Sequence, residues 1–430
     1  MTAKHNVLII AEAANPEWVS VPLVGWSISN AIRQKHNVHI VTQIRNKAAF
    51  IRAGLVEGKD FTAIDSEKVA AKVYKILKLL TKGKGVAWTL ATALTSLISY
   101  PYFEKLVWKQ FGELIKAGHY DIVHRVTPLS PTAQSKISKK CRKYKVPFVM
   151  GPLNGGVPWP KGFDGERRRE REWLSYVRSV YKLLPSRNST IKNSSCIIVG
   201  SLHTKSEIPT KYQNKVIYIP ENGVDSKRFN RNAQLEINSP IKCCFIGRLV
   251  PYKCPDVLLI AASPLIKEGL ITLDIIGDGP IRNELEAISR ELEISAGVTF
   301  HGWLEHQEVA NTAQRSNLLT FPSIREFGGG VVLEAMALGL VPVVIDYAGP
   351  GELVKADTGY KVPIGTKGEL IDSYRQMLIN IASSPSEILE KSVNGKAQID
   401  AKYLWERKAE QVTEIYDWIL RSKTKKPTFF

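Results

Sequence analysis

The sequence lacks the cysteine pattern of a disulfide or zinc framework. Its five cysteines are an odd number and include no C-x-x-C pair, which favours a reducing compartment. No Asp-x-Asp motif or other metal-ligand set is visible, so we expect no metal and no other cofactor. The first apolar run is short and ends at Glu12, which is typical of a buried strand and not of a secretory signal. These absences predict a cytoplasmic protein.

Acidic residues are scarce in the first half of the chain. The net charge is +18 overall, but residues 1–220 carry +21 and residues 221–430 carry −3. A basic half of this kind attracts nucleic acid, anionic lipid or a phosphorylated small molecule. The basic runs 139–145 and 167–171 contain few aromatic residues and match no nucleic-acid-binding motif. We therefore expect no nucleic-acid partner.

The chain has the length and composition of a soluble two-domain protein. It has 430 residues, of which 44% are apolar, and short Val/Ile-rich runs alternate with helical stretches in both halves. This pattern is typical of parallel strands buried on both faces. We predict an α/β protein with two doubly wound Rossmann-like domains, 1–220 and 221–405. A final helix with a basic tail, 406–430, is expected to pack back toward the first domain. The predicted strands are Val7–Ile10, Val38–Val41, Ile122–His124, Phe148–Met150, Cys196–Val199, Val216–Ile219, Cys243–Ile246, Leu273–Ile276, Val298–Phe300, Leu318–Phe321 and Val341–Ile345.

Residues 68–117 interrupt this alternation. Apolar residues recur there at helical spacing, and four lysines share the opposite face: Lys68, Lys72, Lys75 and Lys82. The following stretch 86–103 is apolar but short for a membrane span, which needs about 20 residues. Two interpretations remain open: a helix pair with a solvated lysine face, or a surface that docks on the cytoplasmic face of an anionic membrane.

The segment Pro322–Gly339 carries the strongest chemical signal. Three glycines, Gly328, Gly329 and Gly330, follow a predicted strand and precede a helix-forming run. Glycines allow backbone N–H groups to approach an anion, and the helix start adds partial positive charge. Glu326 and Glu334 bracket the glycines. The pattern predicts a pyrophosphate site in which Glu326 can reach past the phosphates and Glu334 can turn back to a ribose hydroxyl.

A second signal follows the first strand of the second half. Arg248 and Lys253 come directly after the predicted strand end at Gly247. The carboxyl ends of strands are where open α/β sheets bind ligands, and both side chains can hold a phosphate. Alone, the pair is also compatible with two ordinary surface cations.

Taken together, the motifs of the second half resemble the retaining family-4 glycosyltransferases of GT-B fold (glycosyl transferases group 1). The resemblance covers residues 221–420. It rests on these segments in order: Asn222-Gly-Val-Asp225 with Phe229, Gly247-Arg-Leu with Lys253, Ile276-Gly-Asp-Gly-Pro280, Glu326-x7-Glu334, Asp346 with Gly349-Pro350 and Glu352, and Tyr403-Leu-Trp-Glu-Arg-Lys-Ala409. It implies two Rossmann-like domains facing across a cleft, with the donor motifs in the second.

The resemblance also implies a role for each matching residue. Arg248 and Lys253 match the pair that holds the donor diphosphate, and the amides of Gly329, Gly330 and Val331 match the donors to the distal phosphate. Glu326 matches the glutamate that holds the donor sugar, and Glu334 matches the one that binds ribose. Gly302 and Trp303 match the loop that meets the nucleotide base.

The first half departs from the family pattern at His124. Many relatives carry His-x-His after the fourth strand, whereas Val126 stands here where the second histidine is often found. His124 is therefore either a contact to the donor sugar or the acceptor, or a satisfied histidine at a strand end. The glycine-rich loop Gly151–Gly156 is similar to one in a subset of the family.

The resemblance implies a hexosyltransferase-type enzyme that moves a sugar from a nucleoside diphosphate sugar to a free or lipid-linked hydroxyl acceptor, with retention of configuration. Cell-surface polysaccharide or glycolipid synthesis is the expected setting. Two alternatives remain: a basic non-enzymatic protein that binds nucleic acid or membrane, and another GT-B enzyme such as a sugar-nucleotide epimerase. The donor base, the sugar and the acceptor are not indicated by the sequence.

Overall fold

The computed structural model describes residues 4–80, 95–170, 185–229, 237, 239–421 and 424–430. The chain divides into two compact units. Unit 1 comprises Met1–Gly156, Glu172–Glu221 and Trp405–Phe430, and unit 2 comprises Val157–Arg171 and Asn222–Leu404.

Unit 1 is built on a seven-stranded sheet. Its strands are β1 (Asn6–Ala11), β2 (Asn37–Gln43), β3 (Phe61–Ile64), β4 (Ile122–Thr127), β5 (Phe148–Leu153), β6 (Cys196–Val199) and β7 (Val216–Tyr218). They lie in the order β3-β2-β1-β4-β5-β6-β7, and every neighbouring pair is parallel. The order of the strands therefore reverses between the neighbours β1 and β4, as in doubly wound folds.

Helices cover both faces of this sheet. They are α1 (Val21–Lys35), α2 (Lys47–Arg52), α3 (Glu67–Leu80), α4 (Tyr100–Lys116), α5 (Lys136–Lys143), α7 (Pro185–Asn193), α8 (Leu202–Ser206) and α16 (Trp405–Ile419), with α6 (Asp164–Arg169) in unit 2. The last helix packs against α1, and it buries Val412, Ile415 and Tyr416 in the core beside β1 and β4. Helix α4 contributes Phe103, Val107 and Phe111 to the core on the other face.

Unit 2 repeats the architecture with six parallel strands. They are β8 (Ile241–Ile246), β9 (Ile271–Ile276), β10 (Val298–Gly302), β11 (Leu318–Phe321), β12 (Val341–Ile345) and β13 (Tyr360–Val362), in the order β10-β9-β8-β11-β12-β13. The helices are α9 (Pro255–Lys267), α10 (Arg282–Glu291), α11 (His306–Ala313), α12 (Gly330–Leu338), α13 (Ala348–Leu353), α14 (Lys367–Ser383) and α15 (Ser386–Lys402). One continuous apolar core holds the unit together.

The α/β fold class with two doubly wound units is confirmed, and each of the eleven apolar runs overlaps a strand. Two edge strands, β3 and β13, had no signal in the sequence. Both strands are short. The two central residues of β3 and the central residue of β13 are only partly buried. A strand that is exposed on one edge does not need a continuous run of Val and Ile.

Residues 157–171 belong to unit 2 by their contacts, although they lie within the first half of the sequence. The sequence-based division includes them in the domain 1–220, whereas they belong to unit 2. Phe163 is buried in the core of that unit, and the Tyr347 hydroxyl donates a hydrogen bond of 2.9 Å to the carbonyl of Pro158. Contacts to residues far along the chain decided this placement, and no local pattern encodes them.

The predicted basic helix begins at Glu67, and Lys68, Lys72 and Lys75 are exposed on it. Lys82 and residues 86–94 of the apolar stretch lie outside the described residues. Within the described part of the chain, no helix combines the length and the hydropathy that a membrane crossing requires.

Candidate functional site

The motifs of unit 2 converge at the carboxyl end of its sheet. β8 lies between β9 and β11, so the order of the strands reverses between β8 and β11. Open α/β sheets bind ligands in the crevice at such a reversal, because the helices on its two sides lie on opposite faces. Arg248 and Lys253 follow β8, and Glu326 and the three glycines follow β11. The structure thus brings these predicted residues to one edge of the sheet.

The loops after β8 and β9 pack backbone against backbone. A Cβ atom on Gly277 would lie 2.0 Å from the carbonyl oxygen of Gly247, and Gly277 has a φ of 138°. Only glycine tolerates both the contact and the backbone conformation. The close packing keeps the loop 247–253 against the sheet, where its Pro251–Lys253 turn presents Lys253.

Lys253 and Glu326 form an ion pair at the centre of the site. The Lys253 Nζ atom donates to Glu326 Oε2 over 2.6 Å, and the side chains are 12% and 23% exposed. The ammonium group also lies 4.7 Å from the centre of the Phe321 ring. The pair is therefore shielded from solvent and held in one place, which strengthens its electrostatic effect.

The pKa of the Tyr252 hydroxyl depends on the charges around the Lys253–Glu326 pair. Its pKa is raised to about 12, chiefly by burial and further by Glu326, whereas Arg325 and Arg248 act in the opposite direction. These effects place Glu326, Arg325 and Arg248 near one hydroxyl group. Arg248 itself is exposed. An exposed cation next to a shielded lysine is a suitable arrangement for an anionic group that arrives from solvent.

The three glycines form the start of α12. Gly329 caps the helix in the left-handed conformation, with a φ of 56°, and the first helical residue is Gly330. The first N–H groups of a helix have no partner within it and carry partial positive charge. The amides of Gly330 and Val331 are among these first N–H groups, in the helix that follows β11. This is the anion-binding geometry that the sequence pattern predicts.

Glu334 lies one turn into the same helix and is partly buried. Burial raises its pKa to about 7, and Arg228 counteracts part of this shift. At neutral pH the side chain is therefore divided between its charged and neutral forms. A ligand that donates hydrogen bonds to the carboxylate would shift it to the charged form.

Trp303 follows β10 and is 68% exposed. The preceding Gly302 has a φ of 73°, which turns the chain sharply at the strand end. An exposed indole at the carboxyl edge of the sheet offers a flat apolar face for stacking. The base-binding role that the resemblance implies for Trp303 stays a prediction.

One residue of this site was missed by sequence reasoning. Arg325 is buried, and its guanidinium lies 5.0 Å from the centre of the Trp159 ring and 5.4 Å from that of Phe327. Trp159 belongs to the 157–171 segment, whose contact with unit 2 has no local signal. Arg325 is adjacent to Glu326 and fixes the backbone from which that carboxylate projects.

His124 lies inside unit 1. Its side chain is fully buried, its Nδ1 is 2.6 Å from the Tyr416 hydroxyl, and its Nε2 is 2.8 Å from the Gly151 carbonyl oxygen. Burial lowers its pKa to about 4, so the ring is neutral. Both nitrogens are engaged, which favours the satisfied histidine over the contact to donor sugar or acceptor. Val126, at the position of the missing second histidine, is also buried.

No three or more His, Cys, Asp or Glu side chains come together as a metal site among the residues that the structure describes. Glu166, of the acidic pair Asp164-Gly-Glu166, lies 3.6 Å from the ammonium group of Lys367 in an ion pair.

Comparison with known proteins identifies the second unit. Residues 226–389 match the family described as Glycosyl transferases group 1. The chain is 23% identical over 348 residues to an uncharacterized glycosyltransferase of Methanocaldococcus jannaschii. This alignment covers 74% of this chain and 82% of the relative. It is 29% identical over 213 residues to a GDP-mannose-dependent monoacylated alpha-(1-6)-phosphatidylinositol monomannoside mannosyltransferase of Corynebacterium glutamicum, covering 45% of this chain and 54% of that protein.

The fold extends this likeness to both units. The Anabaena protein HepE, solved in complex with UDP, superposes with a TM-score of 0.61 and 14% identity over 95% of this chain and 98% of its own. At that identity the likeness concerns the fold. Over residues 226–389, within its second unit, the chain is similar to the glycosyl transferases group 1 family.

Proposed function

We propose that this protein is a retaining, family-4 type hexosyltransferase that uses a nucleoside diphosphate sugar. The observation that carries the proposal is the shielded Lys253–Glu326 ion pair beside the glycine-capped start of α12. A cation, the backbone amides at a helix start and a carboxylate at one sheet edge are the groups that a negatively charged diphosphate with a polyhydroxylated sugar requires. The acceptor is a hydroxyl group in cell-surface polysaccharide or glycolipid synthesis.

The leaving diphosphate determines the main catalytic requirement. Negative charge develops on it as the bond to the anomeric carbon breaks. Arg248, Lys253 and the α12 amides can stabilise this charge without moving, and a preorganised donor of this kind is worth about 3 kcal/mol in the transition state. The positive charge for the step therefore comes from the chain itself, and we propose that no metal is needed.

The Lys253–Glu326 ion pair reduces the repulsion between a carboxylate and a diphosphate in the site. Glu326 is suited to hold sugar hydroxyls, yet a free carboxylate next to a diphosphate would repel it. Lys253 contacts Glu326 directly, so the two groups together are close to neutral. The lysine can therefore attract the phosphate while the glutamate accepts hydrogen bonds from the sugar.

Glu334 and Trp303 complete the donor site in this proposal. Glu334 accepts hydrogen bonds from the ribose hydroxyls, and Trp303 stacks on the base. The named relatives differ in nucleotide: one uses GDP-mannose and one was solved with UDP. A thermal-shift titration with UDP, GDP, ADP and their glucose and mannose derivatives identifies the donor.

The test of the proposal compares variants of the ion pair. Glu326→Ala should abolish transfer while nucleotide affinity stays within about twofold. Lys253→Ala and Arg248→Ala should weaken binding of the nucleoside diphosphate about tenfold or more, because a charge-assisted contact is lost. The exposed Lys267–Glu293 pair of the same unit provides the control. Lys267→Ala and Glu293→Ala should change neither the rate of sugar transfer nor the affinity for the nucleoside diphosphate.

Two outcomes would refute the assignment. Turnover near the wild-type level in the Glu326 variant would contradict its contact to the sugar. Unchanged nucleoside diphosphate affinity in both the Arg248 and the Lys253 variants would contradict the phosphate site. Binding of nucleotides without any turnover would favour a non-enzymatic protein.

We further propose that α3 associates with an anionic membrane surface. Lys68, Lys72 and Lys75 are all exposed on this helix, in the unit that carries most of the positive charge. Each basic residue at such a surface contributes about 1 kcal/mol, and salt screens the attraction beyond about 8 Å. Reversible and salt-sensitive binding is expected, with the acceptor side of the enzyme close to a lipid-linked acceptor.

Liposome sedimentation tests this association. The wild type should sediment with vesicles that contain phosphatidylglycerol but not with pure phosphatidylcholine, and added salt should release it. Replacement of Lys68, Lys72, Lys75 and Lys82 by Gln should reduce binding. Replacement of three exposed lysines of unit 2, Lys242, Lys267 and Lys355, is the control. Equal sedimentation of the wild type and the α3 variant would mean that this lysine face is merely solvated.

A further inference from the structure

Residues 157–170, here called the strap, interrupt unit 1 in the sequence and fold onto unit 2. Two contacts fasten the strap there. Phe163 is buried in the core of unit 2, and Arg169 Nη2 pairs with Glu284 Oε2 over 2.5 Å. The residues proposed to bind the donor all lie between positions 248 and 334. The strap is therefore a segment from the first half of the chain that is packed into the unit of the proposed donor site.

One end of the strap holds the guanidinium group of Arg325. This side chain is buried, and its Nε donates to the Val157 carbonyl oxygen over 3.5 Å. The guanidinium also lies 5.0 Å from the centre of the Trp159 ring. A buried cation needs such partners, because burial without them is costly. Pro158 and Pro160 flank Trp159 and restrict its backbone, so the indole is held in place.

The other end of the strap lies on the turn that carries Lys253. Helix α6 packs against the Pro251–Lys253 turn. The pKa of Tyr252, in the middle of this turn, is raised by burial and then by the negative charges of Glu326 and Glu170. Glu170 of the strap therefore lies near the Tyr252 hydroxyl. The strap thus contacts both the loop after β8 and the loop after β11.

These two loops are also joined directly to each other. The Ile324 N–H donates to the Tyr252 carbonyl oxygen over 3.0 Å. Tyr252 is adjacent to Lys253, and Ile324 lies two residues before Glu326. The 2.6 Å contact between Lys253 Nζ and Glu326 Oε2 depends on how the two loops are placed against each other. A segment that touches both loops helps to fix that placement.

The strap also reaches the loop after β12. The Tyr347 hydroxyl donates to the Pro158 carbonyl oxygen over 2.9 Å. Two residues later, the Gly349 N–H donates to the Glu326 carbonyl oxygen over 3.2 Å. A Cβ atom on Gly349 would lie 2.2 Å from the carbonyl oxygen of Phe327, so this loop is in close contact with the backbone beside Glu326. Three loops around Glu326 are therefore attached to one segment.

We propose that the strap positions the donor site, and that Trp159 holds Arg325 and thereby sets the place of the Glu326 carboxylate for sugar transfer. The proposal rests on the transferase function proposed above, and it goes further because it assigns a role in transfer to a segment of the first half of the chain. Trp159 and Arg325 are positioning residues. A displacement of about 1 Å at a reacting centre can cost about a hundredfold in rate, so transfer should depend on the strap more than nucleotide affinity does.

Substitutions at the two sides of the cation–π contact test this role. Trp159→Leu keeps an apolar side chain without an aromatic face, and Arg325→Met keeps the length of the side chain without its charge. Each variant should lower kcat at least tenfold, measured as release of nucleoside diphosphate at saturating donor. The affinity for the nucleoside diphosphate should stay within about threefold. Trp159→Phe retains a ring and should keep kcat within about threefold of the wild type.

The matched control is a second cation–π contact of unit 2. The Lys391 ammonium lies 4.8 Å from the centre of the Tyr360 ring. Lys391→Met removes a cation in the same way as Arg325→Met, but from a different contact, and it should leave kcat unchanged.

A double variant separates positioning from general loss of structure. If Trp159 acts through Arg325, Trp159→Leu combined with Arg325→Met should lose no more activity than the stronger single variant, because both changes break one contact. Calorimetric titration with the nucleoside diphosphate counts the intact sites, and kcat is expressed per site. A merely structural role would lower the number of sites and leave kcat per site unchanged.

Several results would overturn the proposal. These are a wild-type kcat per site in both single variants, losses that multiply in the double variant, a Trp159→Phe variant as slow as Trp159→Leu, and loss of the nucleotide sites in both single variants. Failure of the strap is distinguishable from failure of the proposed function. An active wild type with unaffected variants contradicts only the role of the strap, whereas a wild type without donor turnover or nucleotide binding contradicts the proposed function itself.

Discussion

At the scale of single residues, the carboxylates of this protein differ because their surroundings differ. Glu326 has Lys253 as a direct partner, whereas Glu334 is partly buried and the charge that counteracts its raised pKa is that of the exposed Arg228. The same residue type therefore serves as part of a neutral pair in one place and as a titrating group in the other. The sequence shows both glutamates, but it does not show this difference.

The raised pKa of Glu334 leads to a prediction about pH. In the unfolded chain this carboxyl group titrates near 4.5, and in the folded protein near 7. Below pH 4.5 it is protonated in both states and costs nothing. As the pH rises from about 4.5 to about 7, the folded protein holds the proton more tightly, so its stability without ligand should fall. Glu334→Gln should remove this part of the pH dependence in denaturant unfolding and should be more stable than the wild type at pH 8.

Nucleotide binding should show the opposite trend. If ribose hydroxyls donate to Glu334, the charged form binds better, and affinity should rise with pH up to about 7. Isothermal titration between pH 5.5 and 8.5 measures this, and the Glu334→Gln variant corrects for titration of the phosphate groups. An identical pH profile in wild type and variant would show that Glu334 does not meet the ligand.

At the scale of elements, the final helix is the clearest long-range feature. Helix α16 starts about 180 residues after unit 1 has otherwise ended at Glu221, yet it packs on α1. Its Tyr416 is completely buried, and the Tyr416 hydroxyl donates to His124 Nδ1 over 2.6 Å because Nε2 donates to the Gly151 carbonyl oxygen. The helix therefore belongs to the core of unit 1, and His124 is one of the residues that hold it.

This structural role for His124 can be tested through its partner. Tyr416→Phe removes the hydroxyl and leaves a buried ring nitrogen without its hydrogen bond. The free energy of unfolding of unit 1 should fall by about 1–3 kcal/mol. Donor and acceptor KM values should remain unchanged, because the groups concerned face the interior. Tyr144→Phe on the exposed surface is the control. A change of KM without loss of stability would return His124 to the substrate site.

At the scale of the whole molecule, the two units differ in charge as well as in sequence. The residues that we propose to bind the donor lie in unit 2, and the excess of lysine and arginine lies in the first half of the chain. At the ends of β8 and β11 in unit 2, three sources of positive charge lie together: Arg248, Lys253 and the start of α12. In the first half the positive charge is spread over exposed surfaces such as α3. The first arrangement suits a diphosphate, and the second suits an extended anionic surface.

The local positive charge of unit 2 predicts how the enzyme responds to removal of metal ions. Because Arg248, Lys253 and the α12 amides can neutralise the diphosphate, turnover should persist after dialysis against EDTA. The rate of nucleoside diphosphate release before and after dialysis is the measurement. Complete loss of activity that Mg²⁺ or Mn²⁺ restores would show that these groups do not suffice.

The sequence by itself determined the features that depend on neighbouring residues. Buried parallel strands need consecutive Val and Ile, so eleven strands were visible in the sequence. The glycines Gly328–Gly330 before a helix were visible as well, and their role in donor binding stays a prediction. The family likeness followed from these motifs and their order. Tertiary structure alone decided the rest. Three features arise from contacts between distant segments: the Lys253–Glu326 pair, the interior place of His124 and the position of residues 157–171 in unit 2. Burial and charge at such positions depend on what packs against them, and a local pattern does not contain that information.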